Sequence, residues 1–84
     1  MSDFGEVSKL IYSIHNEKLL DDFLLGLTTD KERTELAQRV EIIKRLLAGE
    51  PQRKIAHDLG VGIATVTRGS KEISRGRFKI LRTK

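Results

Sequence analysis

Residues 60–70, GVGIATVTRGS, gather three glycines, two threonines, a serine and an arginine within eleven positions. Two chemistries use such a set. Closely spaced glycines let backbone N–H groups cradle a phosphate. A small apolar pair on a helix, followed by arginine, can instead read the edges of bases in a DNA groove.

The phosphate reading fails on spacing. A dinucleotide fingerprint needs G-x-G-x-x-G after a strand, and the residue three beyond Gly62 is Thr65. A P-loop needs Gly-Lys-Ser/Thr, which does not occur in the chain, and no preceding segment reads as a strand. Catalysis finds no better footing. His15 and His57 are the only histidines and there is no cysteine. His57 and Asp58 are adjacent, so on a helix they point to different faces and make no orienting pair for a general base. No enzyme activity and no metal site is expected.

The elements that position these residues are helical throughout, because apolar residues recur at helical rather than alternating spacing. Phe4, Val7, Leu10, Ile11 and Ile14 form a first stripe that ends near His15-Asn16; Leu19, Leu20, Phe23, Leu24 and Leu27 form a second. Thr29-Asp30-Lys31-Glu32 is a capping box, in which hydroxyl and carboxylate each take a free backbone N–H. The helix it opens carries Leu36, Val40, Ile43 and Leu47 on one face, with Ala37 and Leu46 beside them, until Gly49 and Pro51 stop it.

From Gln52 to Lys71 the pattern is a helix-turn-helix. Ile55 supplies the buried residue of the first helix and Ala56 the small residue where two helices touch. Gly60 supplies the positive φ of a tight turn, and Val61 and Val66 complete the apolar contact. Gly62 then serves as an unobstructed N-cap. If Val61 and Val66 face inward, Gly62, Ile63, Ala64, Thr67 and Arg68 face outward. In a recognition helix that face enters the major groove, where small apolar groups meet thymine methyls. Arg53, Lys54, Lys71 and Arg75 flank it as phosphate contacts, which position without reading sequence.

Charge agrees with that division. The net +4 conceals −4 over residues 1–35 and +8 over residues 36–84, a field suited to a polyanion at the C-terminal half. Eighty-four residues make one small domain with a marginal core, and without cysteine or zinc ligands the remaining support is oligomerisation. No apolar run reaches the length of a membrane span, and the first ten residues do not resemble a signal peptide. A soluble, cytoplasmic protein is expected. Residues 1–75 are expected to form a single helical domain, with the helix-turn-helix at 52–73 and a basic tail at 76–84.

The segments RVEIIKRLLAGE and QRKIAHDLGVGIATVTRGS, with LTTDKERTELAQR upstream, resemble the Trp repressor family over about residues 19–73. The resemblance implies an all-α, intertwined homodimer whose two recognition helices address half-sites of a palindromic double-stranded operator. It also implies a small amino-acid effector, L-tryptophan, as co-repressor. In tryptophan-responsive members two arginines sandwich the indole and hold the ligand carboxylate, and those positions match Arg39 and Arg68. The accompanying positions match Thr29, Thr65 and Gly69.

Several features depart from that pattern. Glu72 replaces a small residue near the ligand's amino group, where a carboxylate either accepts the ammonium or crowds the ligand. The GEPQR connection is one residue shorter. Gly26 and Thr28 replace larger apolar residues, the N-terminal arm is cut back, and RFKILRTK substitutes poorly for a final helix. Effector-independent relatives keep equivalents of both arginines, and Glu35 stands four residues before Arg39 at ion-pair spacing. A regulator of the same fold without tryptophan is therefore the alternative. A helical protein-interaction module is a weaker rival, since the outward face lacks an aromatic or leucine cluster.

Overall fold

Loops of two to four residues separate the helices among the described residues. The computed structural model describes residues 4–82. Among them lie six helices and no strand: α1 (Gly5–Ser13), α2 (Glu17–Leu27), α3 (Asp30–Leu47), α4 (Gln52–Leu59), α5 (Ile63–Ser74) and α6 (Lys79–Arg82). The chain divides into two units, Met1–Arg33 and Thr34–Lys84. No described helix is long and apolar enough to cross a membrane.

In the first unit, α1 and α2 contain no buried residue. Their order comes from the backbone ends. Asn16 Oδ1 accepts the Leu19 N–H at 3.1 Å and caps α2, as short polar side chains do at helix starts. Arg33 closes the other end of α2, donating to the Thr28 carbonyl at 2.7 Å and the Leu25 carbonyl at 3.2 Å, and pairing with Asp30. The capping box read from sequence is formed. Thr29 N–H donates to Glu32 Oε1 at 2.9 Å, and Glu32 N–H donates to Thr29 Oγ1 at 3.2 Å.

The second unit holds the core. Ile42, Ile55, Ala56 and Val66 are buried together, with Leu46, Leu59 and Val61 packed against them. Ile55 and Val66 are fully enclosed, at 0% exposure. The face of α3 that enters this core differs from the sequence expectation. Ile42 and Ile43 are buried, whereas Leu36 and Val40 stay 48% and 51% exposed. The core draws on the Ile42–Leu46 row of α3, one position round from the Leu36–Val40 row.

Two glycines close the helices that frame this core. Gly49 (φ 88°) follows α3, and the Glu50 N–H reaches back to the Arg45 carbonyl at 3.1 Å. Gly60 (φ 66°) follows α4, and the Val61 N–H reaches the Ala56 carbonyl at 3.0 Å. Both are Schellman closures, in which a left-handed residue satisfies carbonyls the helix leaves open. The connection between them is held by charge. Arg45 Nε donates to Glu41 at 3.0 Å and its Nη1 to Asp58 at 3.2 Å, while Lys54 Nζ reaches Asp58 at 2.9 Å and Glu50 at 3.7 Å.

Those contacts shift three acid–base equilibria. The hydrogen bond to Glu41 raises Arg45, the hydrogen bond to Asp58 raises Lys54, and that same bond lowers Asp58.

Candidate nucleic-acid interface and ligand pocket

The helix pair α4–α5 follows from four small or medium side chains and one glycine. Ile55 and Val66 meet in the interior, Ala56 allows the close approach, and Gly60 turns the chain so that Val61 folds back over the contact. Gly62 precedes α5 at φ −71° and ψ 150°, in extended backbone, as a glycine N-cap. α5 therefore leaves the turn with its N-terminal residues outward. Ile63 is 47% exposed, and Ala64 and Thr65 are exposed beside it.

The outward face differs from expectation at Thr67. Its side chain is half-buried, and its hydroxyl donates to Gln52 Oε1 at 2.7 Å. The hydroxyl proton thus bridges the starts of α4 and α5, because Thr67 lies just one residue beyond the buried Val66. Its methyl group and a hydroxyl lone pair are what it has left to offer a base.

The four flanking cations separate into two kinds. Arg53 and Lys71 are exposed and form no ion pair among the described residues. Lys54 is committed to Asp58 and Glu50. Arg75 Nη1 donates to Glu72 Oε2 at 2.8 Å. Both pairings are helix-surface contacts, Lys54–Asp58 at i,i+4 and Glu72–Arg75 at i,i+3. His57 is exposed, its Nδ1 3.6 Å from Asp58 Oδ1.

Between α3 and α5 lies a cavity of about 270 Å³. α3 contributes Arg39, Ile42 and Ile43; α5 contributes Thr65, Arg68, Gly69 and Glu72; Phe78 completes it. Five of the six residues assigned to an effector from sequence thus line one space. Thr29 belongs to the first unit, where its side chain serves the capping box. Gly69 lies close to α3: a Cβ there would stand 3.0 Å from Ile43 Cδ1 and 3.4 Å from Ile42 Cγ2, so those side chains would have to give by a few tenths of an ångström. The i,i+4 pair between Glu35 and Arg39 is not formed, and neither Arg39 nor Arg68 has an ion-pair partner among the described residues. The guanidiniums are left to face the cavity.

Phe78 was not identified from sequence as a site residue. Its backbone is left-handed (φ 64°), two residues after the Gly76 turn, and α6 follows, with Arg82 donating to the Ile73 carbonyl. The chain past Ser74 thus turns back to wall the cavity and forms a short helix. A short helix is within what the segment's sequence allows; the placement of Phe78 is not, since it depends on an unfavourable backbone at a non-glycine residue.

The arrangement is a helix-turn-helix with basic residues on its flank and a cavity behind its second helix. The sequence profile described as Trp repressor protein matches residues 2–80. Proteins called Trp operon repressor homolog from Vibrio vulnificus (strain YJ016) and Aliivibrio fischeri (strain MJ11) are each 44% identical over 73 residues. That span is 86% of this chain and 72% and 68% of the respective relatives. The Vibrio cholerae protein of the same name is 42% identical over 73 residues, again 86% of this chain and 71% of its own. The chain belongs to the Trp repressor family, which comprises transcriptional regulators rather than enzymes.

Proposed function

We propose that the protein is a dimeric transcriptional repressor that binds an operator in double-stranded DNA through α4 and α5. The observation that carries this reading is the start of α5. Ile63 and Ala64 are exposed on the first turn of a helix whose seat is fixed by fully buried Val66. Exposed apolar residues there have a use in the major groove, where they meet thymine methyl groups. Arg53 and Lys71 supply phosphate contacts, with no ion-pair partner among the described residues to surrender. Gly62 lets backbone approach the DNA closely, and Thr67 and Arg68 complete the reading face.

The dimer is supported by what the chain leaves uncovered. α1 and α2 bury no residue, and Leu19, Leu25 and Leu27 are each more than half exposed. In the second unit, Leu36 and Val40 of α3 are exposed as well. A single small chain does not stably expose this much apolar side chain, and a second copy is the partner the family implies. A repressor must meet DNA, so the protein works in the cytoplasm of a bacterial cell.

The cavity is the effector site in this reading. Arg39 and Arg68 suit a carboxylate held in a guanidinium fork, with Ile42, Ile43 and Phe78 for an apolar body. The relatives carry the name Trp operon repressor homolog, and L-tryptophan is the first co-repressor to test.

The test is fluorescence anisotropy on duplexes selected from a random pool, with and without ligand. A palindromic consensus is expected, bound by two chains, with tighter binding when the effector is present. Equal affinity for selected and scrambled duplexes refutes the DNA reading. Selected DNA bound equally with and without ligand identifies a constitutive regulator.

A further inference from the structure

We propose that the chain past α5 is a second DNA-contacting element, in which Lys79, held beside the recognition helix, meets a backbone phosphate. This rests on the reading of α4 and α5 as the DNA-binding surface and extends it. The segment is fastened at both ends to the last turn of α5. Gly76 (φ 90°) reverses the chain, its N–H donating to the Ile73 carbonyl at 3.0 Å and the Arg77 N–H to the Glu72 carbonyl at 3.1 Å. Beyond α6, the Arg82 guanidinium returns to the same Ile73 carbonyl. Between these anchors Phe78 lines the space that Thr65 and Gly69 also line.

That placement sets the tail against the edge of the reading face. With 3.6 residues per turn, Ala64, Thr67 and Lys71 share one side of α5, and Thr65, Gly69 and Glu72 lie about a third of a turn round from them. Phe78 packs on the second side, and Lys79 follows it directly. From Lys71 to Arg82 five basic residues face one acid, Glu72. Glu72 is already occupied: its Oε2 accepts from Arg75 Nη1 at 2.8 Å, and Arg77 Nε lies 3.4 Å from its Oε1. Lys79 is exposed and forms no ion pair among the described residues. An ammonium on a loose terminus loses backbone freedom when it binds, whereas this one is carried on a segment already held, so its contact costs less ordering. A duplex met by the start of α5 brings phosphates along the flanks of that helix, and a lysine meets phosphate as a point charge.

The test is anisotropy over a KCl series, on a selected duplex and a scrambled one. It compares the native chain with Lys79→Ala, Lys79→Arg and Lys44→Ala. Lys44 is the control for net charge. It is exposed, without an ion pair among the described residues, and two residues beyond buried Ile42, so it points about 200° round α3 from the core. Lys79→Ala is expected to lower the slope of log K against log salt by about 1.8, counted on two protomers, and equally on both duplexes. Lys79→Arg should keep the native slope, and so should Lys44→Ala.

A native slope in Lys79→Ala overturns the proposal and makes the tail a solvated terminus. An equal fall in Lys44→Ala also overturns it, by reducing the effect to net charge. In either case a native chain that prefers the selected duplex keeps the DNA reading intact. A native chain without that preference overturns both together.

Discussion

If α4 and α5 address DNA, removing Arg53 should not be equivalent to removing Lys54, although the two are neighbours. Each phosphate contact releases condensed counterions, and log K falls with log salt by about 0.9 per contact on duplex DNA. Arg53 is exposed and has no internal partner among the described residues, so its full charge is available. Counted on both protomers of a dimer, Arg53→Ala should lower the slope by about 1.8. Lys54 starts from a different state. Its ammonium is 2.9 Å from Asp58 and 3.7 Å from Glu50, and a phosphate must compete with both.

Lys54→Ala should therefore change the slope by less than half as much. It also leaves two acidic groups less compensated near the DNA, so its affinity loss should appear mainly at low salt. The assay is anisotropy of one labelled duplex over a series of KCl concentrations, for the native chain, the two variants and Lys71→Ala. Lys71 should behave like Arg53, and Arg75, held by Glu72, like Lys54. Equal slope changes for Arg53→Ala and Lys54→Ala would refute the division of these cations into free and committed.

Ile63→Ala and Thr67→Ala should relax base preference, the latter also loosening α4 from α5 through the lost bond to Gln52; competition with single-base operator variants reads both. Gly60→Ala should destabilise the fold by about 1–2 kcal/mol through its left-handed backbone. Gly62→Ala, in ordinary extended backbone with open space around its Cβ, should cost less, about 0.5–1 kcal/mol through the poorer N-cap alone; urea titration compares the two. Ile55→Val should cost about 0.5–1.5 kcal/mol in the same titration, as expected for one methyl group removed from a fully buried site.

The Lys54–Asp58 pair gives a pH prediction. The hydrogen bond from Lys54 holds Asp58 below its ordinary value of 3.8, so its contribution is present above that pH and is lost as pH falls through the lowered folded value. The stability gap between the native chain and Asp58→Asn should therefore close below about pH 4. A gap that persists in acid would show the carboxylate charge to be irrelevant.

The helix-turn-helix was legible because its requirements are local. Ile55, Ala56, Gly60, Val61 and Val66 must appear at fixed offsets, and a chain that places them so has few other ways to fold. The Thr29–Glu32 capping box was legible for the same reason. The buried row of α3 was less so. Leu36, Val40, Ile43 and Leu47 satisfy helical spacing as well as Ile42 and Leu46 do, and periodicity alone cannot say which stripe meets the chain's own core. The cavity's five effector positions came from resemblance rather than from any pattern. Phe78 was out of reach because its placement depends on a turn at Gly76 and an unfavourable backbone of its own. The half-burial of Thr67 and its bond to Gln52 were not legible, because spacing alone does not show how far central Val66 draws its neighbour inward.

Gly69 gives α5 a fulcrum. Where α5 passes Ile43 of α3 it presents only a hydrogen atom, so no α5 side chain keys the helix against α3 at that point. Ile63 lies six residues away, about 9 Å along the axis at about 1.5 Å per residue. A rotation of about 10° about Gly69 therefore carries Ile63 through about 1.5 Å, half a hydrogen-bond length. The cavity opens at this same pivot, between Arg39 and Arg68. In the proposed reading, a molecule lodged there works on the short arm of a lever whose long arm is the start of α5, and a small displacement at the pivot moves that helix relative to a groove.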